Sequence, residues 1–335
     1  MISETNILTD TFNRKHTYLR LSLTEKCNLR CTYCMPEHGV PLTPKSNIMT
    51  ADELFKIASI FVKHGVSKIR LTGGEPLVRK DFSEILERLS TLNTKLSITT
   101  NAVLVDRFIA DFKRFGLYDI NVSLDSLDAD KFTFITRRNQ FKAAYNNIIL
   151  LLEQGFNVKM NVVLIKGFND DEIIDFIQFT KHLPISIRFI EFMPFDGNNW
   201  NKEKLVTQAE ILEQTHSHFG AEALISLPNE VNFTSRNYQI KGFKGTFGII
   251  SSVSNPFCDS CNRIRLTANG NIKNCLFSNQ ETNLLAAYRH GENIEPLISN
   301  LINKKHAVRA GMTDFETLNK PENHTNNRSM ITIGG

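Results

Sequence analysis

Residues 18–34 read YLRLSLTEKCNLRCTYC. The first half alternates: Leu19, Leu21 and Leu23 are apolar, while Tyr18, Arg20 and Ser22 are polar. That is the period of a strand with one buried face. The second half places Cys27, Cys31 and Cys34 within eight residues. A strand that runs into a thiol-rich loop puts chemistry where α/β folds carry it, at the C-terminal ends of strands. Three thiolates so close can wrap one metal centre. Three is one short of a closed zinc site or a fully ligated 4Fe–4S cluster, so a cubane held here keeps one iron open. A zinc site completed by a distant histidine remains an alternative. CxxC redox chemistry at Cys31 and Cys34 is another, although it leaves Cys27 unexplained.

Further strands are predicted at Lys68–Leu71, Leu96–Thr100, Asp119–Leu124, Lys159–Ile165 and Ile187–Phe192. Helical periodicity separates them, over Asp52–His64, Asp81–Leu89, Asp106–Phe115, Ala143–Gln154 and Asp170–His182. Gly65, Gly116 and Gly155 stand where helices should stop. Six strands with intervening helices imply parallel βαβ units. The pattern alone leaves a doubly wound sheet and a barrel both open. After a loop at 197–201 the pattern becomes a helix near Thr207–His218 and then short strand-like pieces. Residues 316–328, ETLNKPENHTNNR, are polar and are expected to order only against a partner.

The chain has 335 residues, 41% of them hydrophobic and 22% charged, which excludes a disordered, collagenous or coiled-coil chain. No apolar run exceeds that of Ile148–Leu152, so no membrane span is expected. The opening MISETNILTD does not read as an export signal, and a cytoplasmic location is expected. A net charge of +4 suits an anionic small molecule and is too weak to indicate nucleic acid. A second triple, Cys258, Cys261 and Cys275, lies in FCDSCNRIRLTANGNIKNCLF, again without a fourth thiol. Three cysteines plus a histidine would make a zinc site; a second 4Fe–4S cluster with a free iron is the favoured reading. Arg263 and Arg265, two apart, would share one face of a strand and suit phosphate. Asp125, Asp128 and Asp130 lack calcium-loop spacing, and His216 and His218 read as solvated helix-end residues.

The C-x3-C-x2-C motif with Tyr33 before its last cysteine, followed by Thr72-Gly73-Gly74-Glu75-Pro76 after the second strand, resembles the radical S-adenosylmethionine superfamily. Within it, the pair of triples together with KIRLTGGEPLVRKDF, ITTN, INVSLDSLD, VKMNVVLIKGFND, IRFIEFM, FCDSCNRIRL and the terminal Gly334–Gly335 resembles the GTP 3′,8-cyclase family. Its members open molybdenum cofactor (molybdopterin) biosynthesis. The resemblance implies an α/β fold, an incomplete (βα)6 TIM-like barrel over 1–200, with a cluster-bearing C-terminal extension and Gly-Gly tail over 201–335. It implies two 4Fe–4S clusters on Cys27, Cys31, Cys34 and on Cys258, Cys261, Cys275. S-adenosylmethionine would be contacted by Tyr33, Gly74, Ser123 and Met193. GTP would be held by Arg20, Arg70, Thr99, Lys159, Arg263, Ile264 and Arg265, with Lys68 and Arg188 as further candidates.

The implied activity is a lyase reaction driven by a 5′-deoxyadenosyl radical, from GTP to (8S)-3′,8-cyclo-7,8-dihydroguanosine 5′-triphosphate, with no general acid–base pair. The implied partners are a second copy in a homodimer, a cyclic pyranopterin monophosphate synthase that takes the product, and an unidentified reductant. Ala102 and Thr332 depart from the family pattern, which usually has glycine and an aromatic there. A peptide-modifying radical enzyme, which usually carries more C-terminal cysteines, and a zinc or ferredoxin-like binding module are the rival readings.

Overall fold

In the computed structural model, which describes residues 6–36, 38–229, 231–324 and 327–334, the six predicted strands form within two residues of their expected ends. They are β1 (Tyr18–Ser22), β2 (Lys68–Thr72), β3 (Lys95–Thr100), β4 (Asp119–Ser123), β5 (Asn157–Leu164) and β6 (Ser186–Glu191). Each pairs parallel with the next, in sequence order.

The irregular C-terminal part is where the structure departs from expectation. It supplies β7 (Leu224–Ser226), β8 (Arg236–Ile240), β9 (Thr246–Ile250), β10 (Arg263–Leu266), β11 (Asn271–Lys273) and β12 (Thr282–Asn283). Of these, β9 adds parallel to β6, and β10 adds parallel to β1 at the opposite edge. The parallel core therefore holds eight strands, and antiparallel pairs border it on both sides. Strands of two to five residues carry too little periodic signal to be read without their distant partners.

Helices α1 (Ala51–Lys63), α2 (Phe82–Ser90), α3 (Ile109–Arg114), α4 (Ala129–Thr136), α5 (Phe141–Glu153), α6 (Ile173–Phe179) and α7 (Gln208–Phe219) cover one face. Thr50 opens α1 with a capping box to Glu53. Leu54, Ile57, Ala58 and Phe61 of α1 are buried against the apolar face of the sheet. Each large side chain there contributes about 1.5–3 kcal/mol. Gly65, Gly116 and Gly155 follow α1, α3 and α5 with φ of 104°, 71° and 78°, the left-handed stop that glycine tolerates. Helix α4 was not anticipated, because ADKFTFIT mixes β-branched and aromatic residues with no clean stripe.

Because Leu19, Leu21, Ile69, Leu71, Ile98, Ile120, Val122, Val158, Met160, Ile187 and Phe189 all face the helices, the alternate residues line the other, inner face. Its rows are fixed by register: Arg265, Arg20, Arg70 and Ser97 stand side by side, as do Arg263, Tyr18, Lys68 and Lys95. A third row runs Thr99, Asn121, Lys159, Ser186, Thr246. A full TIM barrel packs this interior with Val, Ile and Leu. Here it is polar and cationic.

The expectation that 316–328 awaits a partner to order is corrected for the described residues 316–324 and 327–328. Leu318, His324 and Asn327 are buried. Asn327 donates to the Leu276 carbonyl at 3.1 Å and accepts from Lys273 at 3.0 Å, and His324 sits 2.7 Å from the Leu318 carbonyl. Polar composition misleads here because these polar side chains are satisfied by partners far along the chain. Two aspartates of the rejected calcium loop have separate jobs: Asp128 caps α4, while Asp125 accepts from Tyr33.

Candidate functional site

The Cys27–Cys34 loop leaves the C-terminal end of β1 and docks on α4. Arg30 and Thr32 donate their backbone N–H groups to the Thr136 and Ile135 carbonyls, both at 2.9 Å. On the other side it meets the β2 loop. The N–H groups of Gly74 and Glu75 donate to the Thr24 and Lys26 carbonyls at 2.8 Å. A side chain at Gly73 would sit 2.6 Å from the Thr24 oxygen, and one at Gly74 2.5 Å from that of Lys26. The two glycines thus let two backbones meet, which seats the cysteine loop itself.

Glu75 then ties this junction to β3. Its carboxylate accepts from the Leu77 N–H at 3.1 Å, the Thr100 hydroxyl at 2.8 Å and the Asn101 N–H at 2.7 Å. Asn101 in turn donates to Asn28 at 2.7 Å and lies 3.8 Å from the Cys27 sulfur. Tyr33 donates its hydroxyl to Asp125 at 2.6 Å, and Asp125 accepts from the Val163 N–H at 2.8 Å. The loop is so held by β2, β3, β4 and β5 together. Glu75, Asn101 and Asp125 were not singled out from sequence as site residues, although ITTN and INVSLDSLD contain two of them.

All three thiols are free. Burial, then the charge of Glu75, pushes Cys27 up to about 11. Burial, then neighbouring thiols and Asp125, also raises Cys31 well above its ordinary value, and burial with Asp125 does the same for Cys34. Only a metal's own charge would make all three thiolates at neutral pH. Among the described residues no three His, Cys, Asp or Glu side chains converge as a single-ion site requires. A cubane asks for less convergence, since each thiolate binds a different iron.

Cys258 and Cys261 precede β10 and Cys275 follows β11, so this triple stands at the N-terminal end of β10, the opposite strand end from the first triple. Burial alone would raise the Cys261 thiol, but Arg263 and Lys305 outweigh it and bring the group to about 6. Lys305 Nζ stands 3.5 Å from its sulfur. Met193, Cys275 and Trp200 share one apolar cluster with Leu205, Val253 and Phe277, so the chain after β6 reaches the second triple.

Between the triples lies the cationic inner face. Arg20 is half-buried in the lining; burial and the neighbouring Arg70 and Arg263 lower it to about 10, against the opposing effect of Tyr18. Arg265 is lowered well below its ordinary value, first by burial and then by Arg20 and Arg263. Arg70 Nε donates to Ser97 at 3.3 Å. Lys68 and Arg70 lie over the Tyr18 ring, and Arg263 over Phe257. Arg188 donates to Ser235, which is braced by Asn237 at 2.6 Å.

Ser22, Thr72 and Thr99 carry buried hydroxyls without a hydrogen-bond partner among the described residues. The sequence-predicted residues Arg20, Arg70, Thr99, Lys159, Arg263 and Arg265 therefore share one face, and Ser123 continues it at the end of β4. Ile264 does not: it points to the helix side, into the core, so only its backbone can face that lumen. Ser97, Asn121, Asn161 and Ser186 join the lining and were missed, though the alternation that placed Arg20 would also have placed them. The tail arrives here too. The Gly334 carbonyl accepts from Arg265 at 2.8 Å, and its α-carbon lies against Ser22 and Thr72. Gly335 lies outside the described residues.

Comparison with known proteins agrees with this layout. The radical SAM superfamily model matches residues 21–180, and the molybdenum cofactor synthesis C model matches 185–311. Molybdenum cofactor biosynthesis protein 1 of Homo sapiens is 45% identical over 333 residues, covering 97% of this chain and 51% of that protein. The chain thus spans about half the length of that relative. The mitochondrial GTP 3′,8-cyclase of Arabidopsis thaliana is 45% identical, with 98% of this chain and 84% of that protein covered. The GTP 3′,8-cyclase of Listeria welshimeri is 43% identical over 98% and 99%. Among solved structures, Streptococcus suis SuiB bound to S-adenosylmethionine superposes with a TM-score of 0.58 at 17% identity, covering 83% of this chain and 67% of that one, and shows the shared fold. With family models over both halves and relatives that it matches almost end to end, the chain belongs to the GTP 3′,8-cyclase family of radical S-adenosylmethionine enzymes.

Proposed function

We propose that the chain converts GTP to (8S)-3′,8-cyclo-7,8-dihydroguanosine 5′-triphosphate, the entry reaction of molybdenum cofactor biosynthesis. The observation that carries this reading is the set of seven cations, Arg20, Lys68, Arg70, Lys159, Arg188, Arg263 and Arg265, on one sheet face between two incomplete cysteine triples. A triphosphate needs several cations at once, and guanidiniums in adjacent register suit its oxygens.

Membership of the family brings S-adenosylmethionine and a 4Fe–4S cluster, which Cys27, Cys31 and Cys34 would hold. When bound, this pair would supply a 5′-deoxyadenosyl radical, by one-electron cleavage of S-adenosylmethionine, able to take the ribose 3′-hydrogen; C3′ would then bond to guanine C8, and a second electron from the reductant with a proton would complete the 7,8-dihydro product. The chain's own residues position and enclose. Tyr33, Gly74, Ser123 and Met193 would contact S-adenosylmethionine, with Tyr33 steadied by Asp125. Arg20, Arg70, Thr99, Lys159, Arg263 and Arg265 would fix the nucleotide, and the Ile264 backbone would line its path. Cys258, Cys261 and Cys275 would hold a second 4Fe–4S cluster whose free iron faces the guanine edge. No acid–base pair is called on; orientation and exclusion of other hydrogen donors are the protein's share.

In this reading residues 1–200 generate the radical and 201–335 complete the substrate site. A homodimer, a reductant protein and a cyclic pyranopterin monophosphate synthase receiving the product are its partners. No helix among the described residues is long and apolar enough to cross a membrane. Free cysteines suit a reducing compartment, and the cytoplasm is the proposed location.

Anaerobic incubation of the reconstituted chain with dithionite, S-adenosylmethionine and GTP tests the reading. The cyclised nucleotide should form, and GTP should raise 5′-deoxyadenosine well above the slow cleavage of S-adenosylmethionine that occurs without it. Bound zinc without sulfide, or 5′-deoxyadenosine indifferent to GTP, would refute it.

A further inference from the structure

The segment ahead of β1 lies outside both matched family models, yet it is bonded to the second triple. Asp10, Arg14 and His16 are buried there. Asp10 Oδ1 accepts the backbone N–H groups of Phe12 at 2.9 Å and Arg14 at 3.0 Å. Asp10 Oδ2 accepts from Arg14 Nε at 2.7 Å and from His16 Nε2 at 3.1 Å. Burial, followed by the charge of Lys305, takes His16 down to about 3. The ring is therefore neutral, and its Nε2 carries the proton it donates.

With its Nε fixed, the Arg14 guanidinium reaches three carbonyls that are adjacent only in space. Nη1 donates to Cys258 at 2.9 Å and Ala307 at 2.8 Å, and Nη2 donates to His306 at 2.8 Å. One planar fork thus joins the first cysteine of the triple to the segment 305–309. That segment faces the sulfurs: Lys305 Nζ lies 3.5 Å from Cys261 Sγ and 3.2 Å from the Arg263 carbonyl, and the Arg309 N–H donates to the Cys258 thiol. Arg309 and Ala310 adopt φ of 36° and 57°. Left-handed residues of this kind cost about 1–3 kcal/mol each and persist only where the surroundings hold them. Arg309 is itself tied down, donating to the Val253 carbonyl at 2.7 Å and the Thr313 carbonyl at 3.0 Å.

We infer that Arg14, oriented by Asp10, is a positioning residue for the second cysteine triple. It pins the Cys258, His306 and Ala307 carbonyls so that the Lys305 ammonium and the Arg309 N–H face the thiolates of Cys261 and Cys258. Donors aimed at cluster sulfurs set a cluster's potential and seat. Because Arg263 and Arg265 continue directly from Cys261 into β10, the same clamp fixes the triple relative to the substrate cations. The inference rests on the second triple holding a 4Fe–4S cluster.

The test compares wild type, Arg14→Gln and Asp10→Asn, each as the full chain reconstituted anaerobically. Iron content, the electron paramagnetic resonance spectrum, the KM for GTP and GTP-independent cleavage of S-adenosylmethionine are measured. Wild type should bind about eight irons. Arg14→Gln should keep the GTP-independent cleavage, which reads the first cluster alone. It should shift or lose the second cluster's signal and raise the KM for GTP by roughly 10–100-fold, the usual effect of removing an outer-shell partner, with a smaller change in kcat. Asp10→Asn should move the same readouts by less, and it decides the matter if Arg14→Gln does not fold. About four irons in wild type would overturn the cluster reading and the inference with it. Eight irons in wild type, with unchanged spectra and KM in both variants, would overturn the inference alone.

Discussion

The two cysteine triples have the same count and opposite surroundings. Beside the first stand buried carboxylates: burial and Glu75 take Cys27 to about 11, and Asp125 helps hold Cys31 and Cys34 up. Beside the second stand cations, and Arg263 with Lys305 overcomes burial to bring Cys261 to about 6. In the proposed function this difference would sort the ligands by charge. A field of carboxylates favours a cation, and S-adenosylmethionine carries a sulfonium and an ammonium. A field of guanidiniums favours an anion, and a nucleoside triphosphate is one. The sheet keeps the two fields apart, since β1 leads into one triple and β10, its neighbour, leads out of the other.

The largest expected effect separates the triples outright. Cys34→Ser should lose the first cluster and reduce S-adenosylmethionine cleavage to background. Cys275→Ser should keep about four irons and the dithionite-driven cleavage, yet form no cyclised nucleotide. If Cys275→Ser also loses cleavage, the two sites are not independent and the comparison breaks.

Next comes the cationic side. Arg265→Ala removes a half-buried charged donor, worth about 1.5–3 kcal/mol to a bound anion, so the KM for GTP should rise roughly 10–150-fold. Folding stability should not fall in step, because Arg265 is strained first by burial and then by Arg20 and Arg263. Thermal unfolding beside steady-state kinetics reads both. A loss of stability as large as the loss in binding would mean that Arg265 serves the fold.

The carboxylate side yields a stability effect. Glu75→Gln must turn an amide NH2 toward a donor at Leu77, Thr100 or Asn101, leaving a buried hydrogen bond unmade at about 1–3 kcal/mol. Burial pushes Glu75 up to about 7 from 4.5. A carboxyl raised in the fold contributes stability fully below about pH 4.5, and that contribution is lost as pH rises through 7. The gap between wild type and variant should therefore narrow from pH 5 to pH 8 in thermal unfolding. A gap that widens with pH would show that the three donors hold the ionised form.

How much of this was legible in the sequence follows from range. Strands β1 to β6 announce themselves because each alternates within five to eight residues, and the cysteine loop follows directly from one of them. The face shared by Arg20, Arg70 and Lys159 is readable by the same period. The parallel pairing of Tyr18 with Arg263 is not, because it joins residues 245 apart through a four-residue strand. Nor are the bonds of Glu75 to Asn101 and of Arg14 to Cys258: nothing local marks a carboxylate or a guanidinium that will be buried against a distant backbone. The anchoring of Asn327 escaped for the same reason, since it finds Lys273 across 54 residues.

The smallest effect concerns Ala102, where the family usually has glycine. The residue sits at φ 63°, just after the Thr100–Asn101 pair that Glu75 holds, and its carbonyl accepts from Asn147 at 2.7 Å. An L-residue in this region costs about 1–2 kcal/mol, which glycine would relieve. Against that, the Ala102 methyl is buried in the core, worth about 0.8 kcal/mol, and glycine costs roughly 0.5–1 kcal/mol in backbone freedom. The gains and losses nearly cancel, so Ala102→Gly should change stability by less than about 1 kcal/mol and leave S-adenosylmethionine cleavage unaltered. A clear rise in stability would show that the methyl packs poorly. A fall in cleavage would show that the turn after β3, and through Asn101 the Cys27 sulfur, depends on the stiffness that alanine brings.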